Sequence, residues 1–288
     1  MRYEVLGPVR LIHDDRIVHV NARKIGTLLV ILVSNAGRVV SIDQIITEIW
    51  GDAVPRRAVA GVHVYVSQVR KMFGQLGADG DRLRTSPPGY VLRLDDGGAD
   101  EVDAHAFLRR ASAGRDHFAG ERYEEAERTL SGALGCWHGP LEWARDCGPG
   151  AGAFATLLTE TRLEATELLI DTQMRLGRHR EVVGQLHSLV AEHPLRENFY
   201  QQLMLALYRS GRRADALRAY QDARRTLLDE LGLEPCRGLQ RLQHAILAAD
   251  ERVLNGHGAL TGAVPGALAR AWPGRGAPES SVKATVQC

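Results

Sequence analysis

Val59, Val62, Val66, Val69 and Phe73 recur at steps of three and four along the stretch RRAVAGVHVYVSQVRKMFG, residues 56 to 74. At 3.6 residues per turn they fall within about 60° of Val62, so the spacing predicts a helix with one apolar stripe facing a core. The opposite arc holds Arg56, Arg57, Ala60, His63, Val64, Ser67, Gln68 and Lys71, with Arg70 on its margin. That arc contains no acidic residue, unlike a solvated face, which mixes both signs. Val64 lies at its middle, where a core helix has no use for an aliphatic side chain. Tyr65 falls on the side of the stripe and is assigned to packing.

Around this helix the pattern predicts a small α+β domain. Residues 3 to 20 contain three short β-like runs separated by Gly7-Pro8 and Asp14-Asp15, the composition of an antiparallel sheet with tight turns. ARKIGTLLVILVSNAG reads as a helix stopped by Asn35 and Gly37. Ser41 is an N-cap for the next helix, whose face is Ile42, Ile45, Ile46 and Ile49 and which Trp50-Gly51 ends. RLRTSPPGYVLRL reads as a β-hairpin with Pro87, Pro88 and Gly89 near its tip.

From Asp103 onward the pattern is almost wholly helical. Three segments resemble one another, starting at Gly120, Gly177 and Gly211, with Glu124, Glu181 and Asp215 at one offset. The last two glycines are 34 residues apart, the period of a tetratricopeptide hairpin. The first is 57 residues earlier, which predicts an insertion around WHGPLEWARDCGPGAG. Trp137 and Trp143 in that insertion are expected to pack it against the helical array. After Asp250 the composition turns to Gly, Pro and Ala without a period and predicts a flexible tail. The expected organisation is therefore 1–96, 97–250 and a tail at 251–288.

Charge adds a modest asymmetry: 13 basic against 9 acidic residues in 1–95, and 23 against 26 beyond. The basic surplus lies with the acid-free helix. Cys136, Cys147, Cys236 and Cys288 lack metal-ligand or disulfide-framework spacing. No window approaches the roughly 20 apolar residues of a membrane helix, so a soluble cytoplasmic protein is expected. Glu160, Glu164 and Glu167 share a helical face but read as solvated, His187 and His193 have the wrong separation for two ligands on one face, and nothing resembles a catalytic constellation.

A helix with such an acid-free face, preceded by a short helix and followed by a basic hairpin, reproduces the plan of the winged helix-turn-helix, whose helix lies in the major groove of DNA. GRVVSIDQIITEIWG, HVYVSQVRKMF and RTSPPGYVL resemble the OmpR-type winged helix. With tetratricopeptide-like helices behind it, including FLRRASAGRDHFAGERYEEAERTL and EHPLRENFYQQLMLALYRSGRRADALRAYQ, the chain resembles the Streptomyces antibiotic regulatory proteins over about residues 1 to 248. The fold implied is a winged helix-turn-helix followed by an all-α bacterial transcriptional activator domain. The resemblance implies an activator of a secondary-metabolite gene cluster that binds in pairs to direct repeats of promoter DNA near the −35 element. RNA polymerase, through its sigma factor and the C-terminal domain of its alpha chain, is the implied partner; no cofactor is implied. It also implies that Ala60, His63, Val64, Ser67, Gln68 and Arg70 meet bases and phosphates, while Lys71, Arg82, Arg84 and Thr85 hold the DNA backbone. Larger relatives carry an ATPase module, but no G-x-x-x-x-G-K-[ST] loop occurs here. The alternative, from another class, is a protein-interaction scaffold or ligand-responsive regulator with little specific DNA binding.

Overall fold

The structure is a computed structural model that describes residues 1–78, 80–95, 100–250 and 254. The expected tail lies outside the described residues, Leu254 excepted. The three N-terminal runs form β1 (Arg2–Glu4), β2 (Arg10–His13) and β3 (Arg16–His19), an antiparallel meander that buries Tyr3 and Leu11. Next comes α1 (Arg23–Ser34), buried continuously from Ile25 to Val33. β4 (Val40–Ser41) leads into α2 (Ile42–Trp50), where the Ser41 hydroxyl accepts from the Gln44 amide at 3.1 Å. Gly51, at φ 53°, ends α2. The amphipathic helix is α3 (Ala58–Gln75).

The hairpin is β5 (Leu83–Ser86) and β6 (Gly89–Leu92), joined through Pro87-Pro88 and extended by β4 into a three-stranded sheet of order β4-β6-β5. Gly89 is required there, because a Cβ would sit 1.8 Å from the Val40 carbonyl oxygen. A further short strand, β7 (Glu101–Val102), runs parallel to β1 and completes the first sheet in the order β3-β2-β1-β7.

The helical part comprises α4 (Asp103–Ala119), α5 (Tyr123–Leu134), α6 (Pro149–Arg175), α7 (His179–Glu192), α8 (Glu197–Arg209), α9 (Arg213–Leu231) and α10 (Arg237–Ala248). The three similar segments open α5, α7 and α9, but the register of the first is shifted by one residue. Glu121, at φ 57°, occupies the left-handed position held by Gly177 and Gly211, both at φ 80°. In each case the next residue, Arg122, Arg178 or Arg212, donates its amide five residues back, to His117, Gln173 and Leu207 respectively, closing the same helix-terminating turn. The equivalent of Glu181 and Asp215 is therefore Glu125, which pairs with Arg122 at 3.1 Å as Asp215 pairs with Arg212 at 2.8 Å. Aligning on glycine misplaced the register because here a non-glycine residue takes the left-handed conformation.

The apolar core does not divide near residue 96. One continuous cluster runs from Met1 to Leu169, and a second, within the solenoid, starts at Ile170. Both lie along α6. The expected insertion explains this continuity: Trp143 meets the helical array at Phe154 of α6, as expected, and reaches the N-terminal part as well. The Trp143 indole donates to the Val5 carbonyl at 2.8 Å and its own carbonyl accepts from Thr27 at 2.8 Å, so it is buried against β1 and α1. Trp137 does stay with the helices, edge-on to Phe107 with Arg162 over its ring. GPGAG opens α6, and its Gly148, Gly150 and Ala151 pack against α2. Gly148 donates to the Glu48 carbonyl at 2.8 Å, and the Glu48 carboxylate accepts from Gly150 and Ala151 at 2.9 and 2.7 Å. A carboxylate on the first amides of a helix satisfies unpaired donors and complements the helix dipole. Neither glycine has room for a Cβ against Thr47 and Glu48.

A candidate nucleic-acid interface

The α3 helix is fixed by Ala58, Val62, Val66, Val69 and Phe73, all buried. Val59 departs from expectation: it is 48% exposed, and Ala58 takes its place in the stripe. The angular offset of Val59 from Val62 is about 60° against about 40° for Ala58, and the core covers only the nearer of the two in this first turn. Two aromatic residues brace the flank as expected for Tyr65, which stacks on Trp50 with centroids 5.8 Å apart. Gly61 lets the helix approach the same indole, since a Cβ would lie 3.2 Å from it.

Opposite this anchor, Arg56, Arg57, Ala60, His63, Val64, Ser67, Gln68 and Lys71 are all exposed. They form one surface without an acidic side chain, and Val64 is 52% exposed in its middle. Lys71 has no ion-pair or hydrogen-bond partner among the described residues. Arg56 and Arg57 precede the first helical residue, and Arg57 is the N-cap.

The hairpin residues are placed differently from one another. Arg70 points along the margin toward the wing: its Nε donates to the Leu83 carbonyl at 3.0 Å, its Nη2 to the Thr85 hydroxyl at 2.9 Å, and its guanidinium lies 5.9 Å from the Tyr90 ring. Arg70 and Thr85 are therefore partners of each other, not free ligands. Arg82 is committed more strongly to partners within the chain. It sits in a 3-10 turn ahead of β5, half-buried, and its guanidinium pairs with the fully buried Asp100, whose second oxygen meets the N-terminal amine of Met1 at 2.9 Å. Burial alone would raise the Asp100 carboxyl, but the Asp95 amide, the terminal amine and Arg82 outweigh it and hold the group low. Nearby burial pushes the Tyr3 phenol up to about 12. Arg84 remains on the exposed side of the wing, in a solvent-exposed pair with Asp81 at 2.9 Å.

Asp103, at the start of α4, accepts from the amides of Val5 at 2.9 and 2.8 Å, Leu6 at 2.9 Å and Ala104 at 2.6 Å, and burial nevertheless pushes it up to about 6. Sequence reading found neither this anchor nor Glu48 and Asp100, since each serves a partner about a hundred residues away or a backbone group. Glu160, Glu164 and Glu167 are not simply solvated: Arg196 pairs with Glu160 at 3.1 Å and with Glu167, and Arg115 with Glu164 at 3.2 Å, so they clamp α6 to its neighbours. His193 caps α7, as expected of a helix terminus. Cys136, Cys147 and Cys236 are free thiols pushed up by burial. Among the described residues no cluster could hold a metal ion, and no helix is long and apolar enough to cross a membrane.

Residues 16–92 match the family model described as "Transcriptional regulatory protein, C terminal", and residues 102–247 match "Bacterial transcriptional activator domain". This order of a winged helix and a helical activator domain defines a transcriptional regulator. Regulatory protein DnrI of Streptomyces peucetius is 37% identical over 256 residues, covering 87% of this chain and 93% of that one. The chain belongs to the Streptomyces antibiotic regulatory protein family. Regulatory protein AfsR of Streptomyces griseus is 37% identical over 88% of the chain, which spans only 25% of AfsR. The solved structure of Mycobacterium tuberculosis EmbR in complex with a low-affinity phosphopeptide shares the fold at a TM-score of 0.76 and 36% identity, covering 86% of this chain and 65% of that one.

Proposed function

We propose that this regulator binds double-stranded promoter DNA with α3 in the major groove and the wing against the adjacent backbone. The observation that carries the reading is the exposed, acid-free arc of α3 on a helix whose other side is locked into the core. An arc from residue 56 to 71 extends roughly 22 Å at about 1.5 Å per residue, enough to touch both walls of a groove about 12 Å wide. Arg56, Arg57, Lys71 and Arg84 supply salt-dependent phosphate attraction, and Ala60, His63, Val64, Ser67 and Gln68 face base edges. Arg70 and Thr85 set the angle between reading helix and wing, and Arg82 supports the sheet behind them.

On this reading two protomers occupy a direct repeat near the −35 element, and a secondary-metabolite cluster is switched on in the cytoplasm. The helical domains lie against RNA polymerase through its sigma factor and the C-terminal domain of its alpha chain. The chemistry is binding without catalysis. Support comes from the two matched segments, in the same order as in DnrI, over nearly the full length of that regulator. Footprinting on the promoters flanking the gene, paired with a reporter, tests it: protection of a repeat upstream of −35 with increased transcription is expected. Absence of any competitor-resistant protection would favour the scaffold reading.

A further inference from the structure

We infer that the half-site contains a thymine whose 5-methyl group packs on Val64 and, at a neighbouring base pair, an adenine held by Gln68. The inference rests on the DNA-binding reading and fixes the base chemistry which that reading leaves open. Val64 carries the first part. It is 52% exposed at the centre of a surface that is otherwise polar, with only Ala60, one turn earlier, adding an aliphatic group to that centre. In the major groove the apolar feature that distinguishes one base pair from another is the thymine methyl group. A valine placed there gains by covering that methyl and gains nothing over a cytosine amine or a guanine carbonyl.

Gln68 carries the second part. It lies one turn beyond Val64, about 6 Å further along the helix and about 40° around it, so the two side chains project from the same side toward neighbouring pairs. A carboxamide makes a bidentate pair with the N6 and N7 atoms of adenine. The third observation removes one competing contact from the helix itself. The commonest specific contact in this groove is an arginine fork on guanine, yet Arg70, the arginine within α3, is committed to Leu83, Thr85 and the Tyr90 ring. His63 and Ser67 accommodate more than one base, and Arg56, Arg57 and Lys71 are assigned above to phosphates, so the inference places discrimination at Val64 and Gln68.

The test selects binding sites from a random duplex library with the full-length protein, then replaces each thymine of the selected duplex singly by deoxyuridine, which deletes only the methyl group. One thymine in each half-site is expected to lose about four-fold in affinity, the weight of one buried methyl. Val64→Ala should lose affinity for the thymine duplex and show no further loss on the deoxyuridine duplex at that position. Gln68→Ala should relax the selected adenine to any base. Because Val64 is exposed and alanine is the better helix former, the melting temperature of Val64→Ala should not fall, which separates contact from fold. Selected sites without a shared thymine, or a deoxyuridine loss that persists undiminished in Val64→Ala, overturn the inference and leave the DNA-binding reading standing. Failure of the library to enrich any sequence overturns both.

Discussion

Arg70 on α3 donates to the hydroxyl of Thr85 on the wing at 2.9 Å. Together with the Leu83 carbonyl bond, this fixes the wing relative to α3 by a planar fork that a lysine cannot reproduce. Arg70→Lys and Arg70→Ala should both weaken binding, by about ten-fold for alanine if the loss is a charge-assisted bond, and equally for specific and nonspecific DNA. Hydroxyl-radical footprints should lose the wing's protection first. A change in base preference would show instead that Arg70 meets bases directly.

Lys71 makes no ion pair or hydrogen bond within the described chain, so its charge is available to a phosphate. Lys71→Ala should reduce affinity for all sequences and lower the slope of log affinity against log salt by about 0.9 for each protomer bound. Titrations at several salt concentrations measure that slope.

The Glu48 carboxylate on the first amides of α6 ties the winged helix to the rod along which both cores lie. Glu48→Gln retains one acceptor and should cost about 1 kcal/mol, while Glu48→Ala leaves two amides unpaired and should cost about 2 kcal/mol. Gly148→Ala should be worse than either, since its Cβ would stand 2.4 Å from the Thr47 carbonyl oxygen. Chemical denaturation followed by tryptophan fluorescence, with Trp50 in α2 and Trp143 against Phe154 of α6, reads all three.

Asp171, in the contact between α6 and α8, is pushed up to about 6 by burial, against a hydrogen bond from Gln202 at 2.8 Å. Its folded pKa lies above its unfolded value of 3.8, so the folded chain holds the proton more tightly and stability falls as pH rises from about 4 to 6. Asp171→Asn should raise stability at pH 7 by on the order of 1 kcal/mol and flatten that part of the pH profile. Its amide could also donate to the buried Gln202 Oε1, which has no hydrogen-bond partner among the described residues. Part of the slope should remain, because Asp103 is pushed to about 6 as well.

The exposed, acid-free arc of α3 was legible in the sequence because a helix writes its two faces at a period of 3.6, and Val64 stood on the wrong one for a core. Ser41, Gly51 and the hairpin tip were legible because caps and turns demand particular residues. β4 and β7, each two residues long, are too short to carry a period and form only by pairing with β6 and β1. Arg82 looked like a phosphate ligand because it is basic and precedes the wing, but the buried Asp100 that claims it lies 18 residues later. Trp143 was expected on the helical array, where it does meet Phe154, but its indole N–H goes to the carbonyl of Val5 at the far end of the sequence. Composition reports element type, while such pairings are decided by the tertiary fold.

Most directly, the central claim rests on Val64→Asp in the full-length protein, assayed by footprinting on its promoter beside a thermal melt. A carboxylate at the middle of the arc would face phosphates and base acceptors at an exposed position, so the account predicts loss of protection with the melting temperature preserved. A folded Val64→Asp protein that protects the same sequence with unchanged affinity would contradict it.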